Sequence, residues 1–149
     1  MRLDIRSGHC FYIEEKGMEV TVVSILSVGF GGALGAMARY GFGHMLMGIL
    51  GTAFPYCTLC VNILGSFLMG VLITSFAMFS DMSENLKLFM TAGFLGAFTT
   101  FSAFSFDTVT LFERGAIWQA VFYVLASVTI SIVGLLVGMF CVKGLTHVF

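Results

Sequence analysis

The chain has 149 residues, 58% of them apolar and only 10% charged, with seven basic side chains against eight acidic ones and a formal charge of −1. A soluble domain carries about 25% charge, so this composition points to a protein embedded in lipid and excludes a disordered chain, which lacks apolar surface. The balanced charge argues against nucleic-acid binding, because no basic stripe exists to neutralise phosphates.

Seven of the fifteen charged residues precede Val20. Residues 1–19 read as a polar N-terminal tail without the apolar core of a signal peptide, and no function is assigned to them. Met18 stands just before the first apolar run, so residues 1–17 are either a dispensable tail or a product of start-codon choice. A membrane helix needs about 20 largely apolar residues, rising about 1.5 Å each, to cross about 30 Å of hydrocarbon. Four segments reach that length: 20–40, 56–79, 86–106 and 116–142. Between the first two, 41–55 holds glycines, His44 and the single proline, and reads as a connector containing a short interfacial helix. The expectation is an all-α membrane protein with four transmembrane helices over residues 20–143 and a short C-terminal tail at 144–149.

Lys and Arg at the span ends set orientation. Both termini and the second loop share one side, with Lys87, Lys143 and, counting the tail, Arg2, Arg6 and Lys16; the other side has Arg114 and Arg39. The ratio is 5 to 2 with the tail, favouring termini inside, and 2 to 2 without it. A chain that inserts both ways can form an antiparallel dimer.

In hydrocarbon a polar side chain is costly unless it finds a partner, so those present are candidates for function. Within the second span Asn62, Ser66 and Gly70 recur at i, i+4, i+8 and share a face. Small residues there suit helix packing, whereas the Asn62 amide can also donate hydrogen bonds to a passing anion. The third span reads Gly93-Phe94-Leu95-Gly96-Ala97-Phe98-Thr99-Thr100-Phe101-Ser102-Ala103-Phe104-Ser105-Phe106-Asp107. Its glycines and adjacent threonines weaken a continuous helix, which predicts a break between Gly96 and Thr100. Such a break frees backbone carbonyls that protein or an ion must satisfy at membrane depth. Phe101 and Phe104, spaced i, i+3, lie on one face; the hydroxyls of Thr99, Thr100, Ser102 and Ser105 around them suggest an aqueous path. On the fourth span Tyr123, Ser127 and Ser131 form a hydroxyl stripe that can donate to an anion without bringing a full charge into the membrane. Bonding of each serine back to its own helix is the competing account.

Three ordered motifs carry a resemblance. The run from Gly31-Gly32-Ala33-Leu34-Gly35 to Arg39-Tyr40, the run Thr58-Leu59-Cys60-Val61-Asn62-Ile63-Leu64-Gly65-Ser66, and the Gly93–Ser105 element are similar to the signatures of the Fluc fluoride channels, the CrcB-like proteins. The resemblance covers about residues 20–142. It implies an antiparallel dual-topology homodimer, inserted in the plasma membrane of a prokaryote (the inner membrane if Gram-negative), that lets toxic fluoride leave the cell down its electrochemical gradient. Asn62, Phe101, Phe104, Tyr123, Ser127 and Ser131 match the fluoride pore. Arg39 and Asp107 match vestibule positions. Gly96 and Thr99 match residues whose backbone carbonyls hold a structural sodium ion at the dimer axis. An aromatic ring is positive at its edge, which suits phenyl rims facing an anion. The chain departs from the family pattern at Cys57, Ala97, Ala103 and Asp107, where Gly, Gly, Thr and Glu are usual.

Other readings have less support. Cys57 and Cys60 form a C-x-x-C, but without a second pair and inside an apolar span they read as small buried thiols. His9, His44 and His147 are dispersed, and no catalytic triad or phosphate loop is present, so an enzyme is not expected. A small proton-coupled multidrug exporter, also a four-span dual-topology dimer, needs an ionisable group inside the membrane; the first span contains no acid. A purely structural protein has no reason to align hydroxyls with Phe101 and Phe104.

Overall fold

The computed structural model describes residues 21–78 and 82–146, with side chains up to residue 144; the expected N-terminal tail lies outside the described residues. Helix α1 runs Val22–Leu50, α2 Tyr56–Met78, α3 Glu84–Leu88, α4 Gly96–Phe98, α5 Phe101–Glu113 and α6 Ile117–Thr146, with a π-helical stretch at Phe89–Leu95 between α3 and α4. Four lengths, Val22–Leu50, Tyr56–Met78, Glu84–Glu113 and Ile117–Gly144, are long and apolar enough to span a membrane. Four spans were expected, and four are present.

The first boundary differs from expectation. Instead of a connector with a separate interfacial helix at 41–55, α1 continues through this stretch to Leu50. Its 29 residues make a helix about 43 Å long at about 1.5 Å per residue. Glycine weakens a helix, yet α1 continues through Gly41, Gly43 and Gly48, with Gly43 buried against the Cys57 sulfur. It stops at Gly51, whose φ of 75° no other residue adopts easily, and the only proline follows at Pro55. Arg39 consequently lies inside α1 and not at its end. The described span ends then carry Lys87 and Lys143 on one side and Arg114 alone on the other. At the far end of the chain α6 extends through Thr146, into the segment expected as a C-terminal tail.

Two packings organise the protomer. Helix α2 lies along α6, and α1 lies along the π-helical stretch and α4. The α2–α6 contact depends on Gly70 and Gly138: a Cβ on Gly70 would run into the Leu135 carbonyl, and one on Gly138 into the Phe67 carbonyl. Without a hydrophobic force between helices in lipid, such close backbone approach supplies the dispersion contacts that hold spans together. Many apolar side chains remain outside, among them Phe30, Met37, Phe106, Trp118 and Phe140, as suits a surface that meets lipid or another protein chain.

The third span is interrupted where expected. Thr99 and Thr100 are both extended, with φ/ψ of −78°/158° and −153°/120°. The helix restarts at Phe101 with Thr100 as its N-cap, the Thr100 hydroxyl accepting from the Ala103 N–H at 3.2 Å. Preceding this break, the π-helical winding lets the Gly96 N–H reach the Thr91 carbonyl, five residues back. Wide turns of this kind concentrate at functional sites.

Candidate functional site

The break is held from two sides. Asn62, on α2, donates from Nδ2 to the Thr100 carbonyl at 3.0 Å and accepts the Thr100 N–H on Oδ1 at 2.8 Å. Gly65, one turn further along α2, allows this approach: a Cβ there would collide with the Thr99 methyl. From α1, Arg39 Nη1 lies 3.5 Å from the Thr99 carbonyl. Arg39 thus reaches the break from α1, while Asp107, the other residue matched to a vestibule, lies further along α5.

Beside the break lies a cavity of about 340 Å³. Its lining brings together Asn62, Ser66, Thr99, Thr100, Phe101, Phe104, Ser127 and Ser131. The Phe101 and Phe104 rings are 5.4 Å apart, tilted by 43°. They differ in setting: Phe101 is 77% exposed on the protomer surface, while Phe104 is half-buried, with its ring 5.3 Å from that of Tyr123.

The hydroxyls sort into two kinds. Those of Ser75, Thr91, Thr99, Ser105, Thr108 and Thr110 donate to the carbonyl four residues earlier. Thr100 caps α5 and meets Ser102 at 3.2 Å. Most third-span hydroxyls therefore bond the helix or cap its restart, while Thr99 and Thr100 also line the cavity. Ser127 and Ser131 behave differently: both Oγ atoms are enclosed and neither bonds its own helix, Ser131 having no hydrogen-bond partner among the described residues and Ser127 only the neighbouring Tyr123 hydroxyl. Ser127 is only 4% exposed. An enclosed hydroxyl without a partner loses the full hydration of that group, so Ser131, on the cavity wall, is a donor in want of an acceptor, with Ser127 beside it held only by Tyr123. Thr74 Oγ1 is another unpartnered atom, outside this lining.

A second cavity of about 320 Å³ lies at the end of α5, lined by Phe54, Tyr56, Cys57, Thr58, Asp107, Thr110 and Arg114 among others. Asp107 is not a solvated interfacial carboxylate. Its Oδ2 accepts from Thr58 Oγ1 at 2.6 Å and from the Tyr123 hydroxyl at 3.3 Å. Tyr123 is wholly buried and touches the linings of both cavities, through Asp107 on one side and Phe104 on the other. Polar groups thus run in order from Arg114 and Asp107 through Tyr123 to Ser127 and Ser131. Thr58, which completes the Asp107 site, was not singled out for it in the sequence; a buried threonine on one span and the single acid inside another are the signal.

Two departures from the family pattern have local company. The Cys57 sulfur occupies the space beside Gly43, and Ala97 faces Gly32. Cys57, Cys60 and Cys141 are free thiols. Among the described residues no cluster of His, Cys, Asp or Glu could hold a metal.

A family model described as "CrcB-like protein, Camphor Resistance (CrcB)" matches residues 26–139. A protein of Agrobacterium fabrum (strain C58) named fluoride-specific ion channel FluC is 46% identical over 118 residues, covering 79% of this chain and 94% of that protein. The protein of the same name from Cereibacter sphaeroides (strain ATCC 17029) is 49% identical over 123 residues, with 83% and 97% covered. That of Rhodopseudomonas palustris (strain BisB5) is 44% identical over 124 residues, with 83% and 100% covered.

Proposed function

The chain belongs to the CrcB-like protein family, and we propose that it is a fluoride-selective ion channel, multi-pass in a prokaryotic plasma membrane, that lets fluoride leave the cell down its gradient. One observation carries the reading: the enclosed hydroxyls of Ser127 and Ser131, neither bonded to its own helix, on the wall of a cavity rimmed by Phe101 and Phe104. Fluoride is small and strongly hydrated, and a path through hydrocarbon must replace its water with donors. The two serine hydroxyls supply them as neutral dipoles. Asn62 uses one amide hydrogen on Thr100, which leaves its second for the anion. Phenyl edges add partial positive charge without hydrogen bonding strongly enough to trap the ion. Tyr123 then links this stretch to the outer cavity, which Asp107 and Arg114 line together. An enzymatic role has no support in a family of channels.

The homodimer is part of the proposal. Phe101 is largely bare on the protomer, so a second copy packed against this face would close the open side of the path. Family resemblance supports the antiparallel arrangement, and the Lys/Arg count at the described span ends, two against one, is compatible with it. Sodium is proposed on the chemistry of its donors. The Gly96 and Thr99 carbonyls are hard neutral oxygens of the kind a small cation prefers, and neither has a backbone donor four residues on. A cation there would supply fixed positive charge at membrane depth.

The test is an ion-selective electrode recording of fluoride efflux from proteoliposomes, with no proton gradient imposed. Fast fluoride release with little chloride release is expected. Equal permeability to both ions would end the selectivity claim, and a requirement for a proton gradient would favour the exporter.

A further inference from the structure

We infer that Asn62 and Thr100 are positioning residues for the cation, because their side chains take the two backbone N–H groups that would otherwise close off its carbonyl ligands. The inference rests on the sodium reading above and assigns a role to residues that do not themselves touch the ion.

In an uninterrupted helix the Gly96 carbonyl accepts from the N–H of residue 100, and the Thr99 carbonyl accepts from the N–H of residue 103. Here both donors are diverted. The Thr100 N–H goes to Asn62 Oδ1 at 2.8 Å, from a residue 38 positions away. The Ala103 N–H goes to Thr100 Oγ1 at 3.2 Å. These two substitutions release the same two carbonyls proposed as sodium ligands. Each diversion also meets the need of a buried donor, since a backbone N–H at membrane depth without an acceptor is strongly disfavoured. Carbonyls, having two lone pairs each and no donor to give, are left to find a cation.

The second half of the Asn62 contact holds the geometry. Nδ2 donates to the Thr100 carbonyl at 3.0 Å, so the amide pins this residue's peptide group at both ends and keeps Thr100 extended. Arg39 reaches the Thr99 carbonyl only at the outer limit of a hydrogen bond, 3.5 Å, and such an oxygen retains its second lone pair. Removal of either side-chain acceptor would let the freed N–H return to its helical carbonyl, and the donor set would shrink by one per protomer.

The experiment measures thermal unfolding of the purified full-length protein across a sodium chloride series, with N-methylglucamine chloride holding ionic strength constant. The parent protein should be stabilised by sodium with a defined half-saturating concentration. Thr100→Val keeps the shape of the side chain and deletes its acceptor; Asn62→Leu does the same on α2. Both should raise half-saturation about ten- to a hundredfold, the usual cost of losing a group that orients a metal ligand. Thr100→Ser should stay near the parent value. A merely structural role would lower the unfolding temperature at every sodium concentration without moving the midpoint, and that result, with the parent responding normally, overturns the inference. If the parent itself shows no sodium-specific stabilisation, the sodium reading falls first. Should Asn62→Leu not fold, the Thr100→Val and Thr100→Ser pair decides.

Discussion

The Tyr123 hydroxyl donates to the same Asp107 oxygen that accepts from Thr58, at 3.3 and 2.6 Å. A single carboxylate oxygen therefore joins α2, α5 and α6 at the point where the outer cavity meets the inner one. Two hydroxyls in mostly apolar surroundings have their needs met by one acid, and the acid has its charge spread over two donors.

Asp107→Ala should lower unfolding stability by about 1–3 kcal/mol, the cost of leaving enclosed donors without an acceptor. Asp107→Asn keeps an accepting oxygen and should recover most of that loss. Thermal melts monitored by circular dichroism in detergent compare the two. Equal stability of Asp107→Ala and the parent would show that the junction does not hold the helices.

Ser127→Ala and Ser131→Ala should behave in the opposite way. Ser131 has no partner to lose and Ser127 only the Tyr123 hydroxyl, which keeps Asp107, so stability should change little. Fluoride flux should fall, by about tenfold for each 1.4 kcal/mol of lost anion stabilisation. Efflux rates and melting temperatures measured on the same preparations separate the effects. A stability loss without a flux loss would return these serines to helix packing.

Phe101→Ile and Phe104→Ile remove the ring edges while keeping apolar bulk. Both should cut fluoride flux. Only Phe104→Ile should lower protomer stability, because that ring packs on Tyr123 whereas Phe101 is largely exposed. Undiminished flux in both variants would take the rings out of conduction.

Gly138→Val places a branched side chain where a single Cβ already runs into the Phe67 carbonyl. The α2–α6 packing should open, at a cost of about 1–3 kcal/mol or more for overpacking. Gly144→Ala, with open space around it, is the control. Melting temperatures of the two variants measure the difference.

Composition and apolar run length were sufficient for the four spans, because crossing hydrocarbon is a local demand that each segment meets alone. The break in the third span was legible for a similar reason: Gly96, Thr99 and Thr100 weaken a helix wherever they stand. The extent of α1 was not legible, since Gly41, Gly43 and Gly48 read as a loop by local propensity, whereas packing of Gly43 on Cys57 is a contact between helices distant in sequence. Nor could sequence sort the hydroxyls. Ser105 and Ser131 look alike in a line of letters, yet one bonds its own helix and the other faces a cavity unpartnered. Asp107 with Thr58, Asn62 with Thr100 and Arg39 with Thr99 meet across 49, 38 and 60 residues of chain. What the residues determine by themselves is where the backbone can cross lipid and where it must break, because those depend on neighbours in sequence. Which polar atom is satisfied and which is left for an ion depends on neighbours in space, and only packing of the helices decides it.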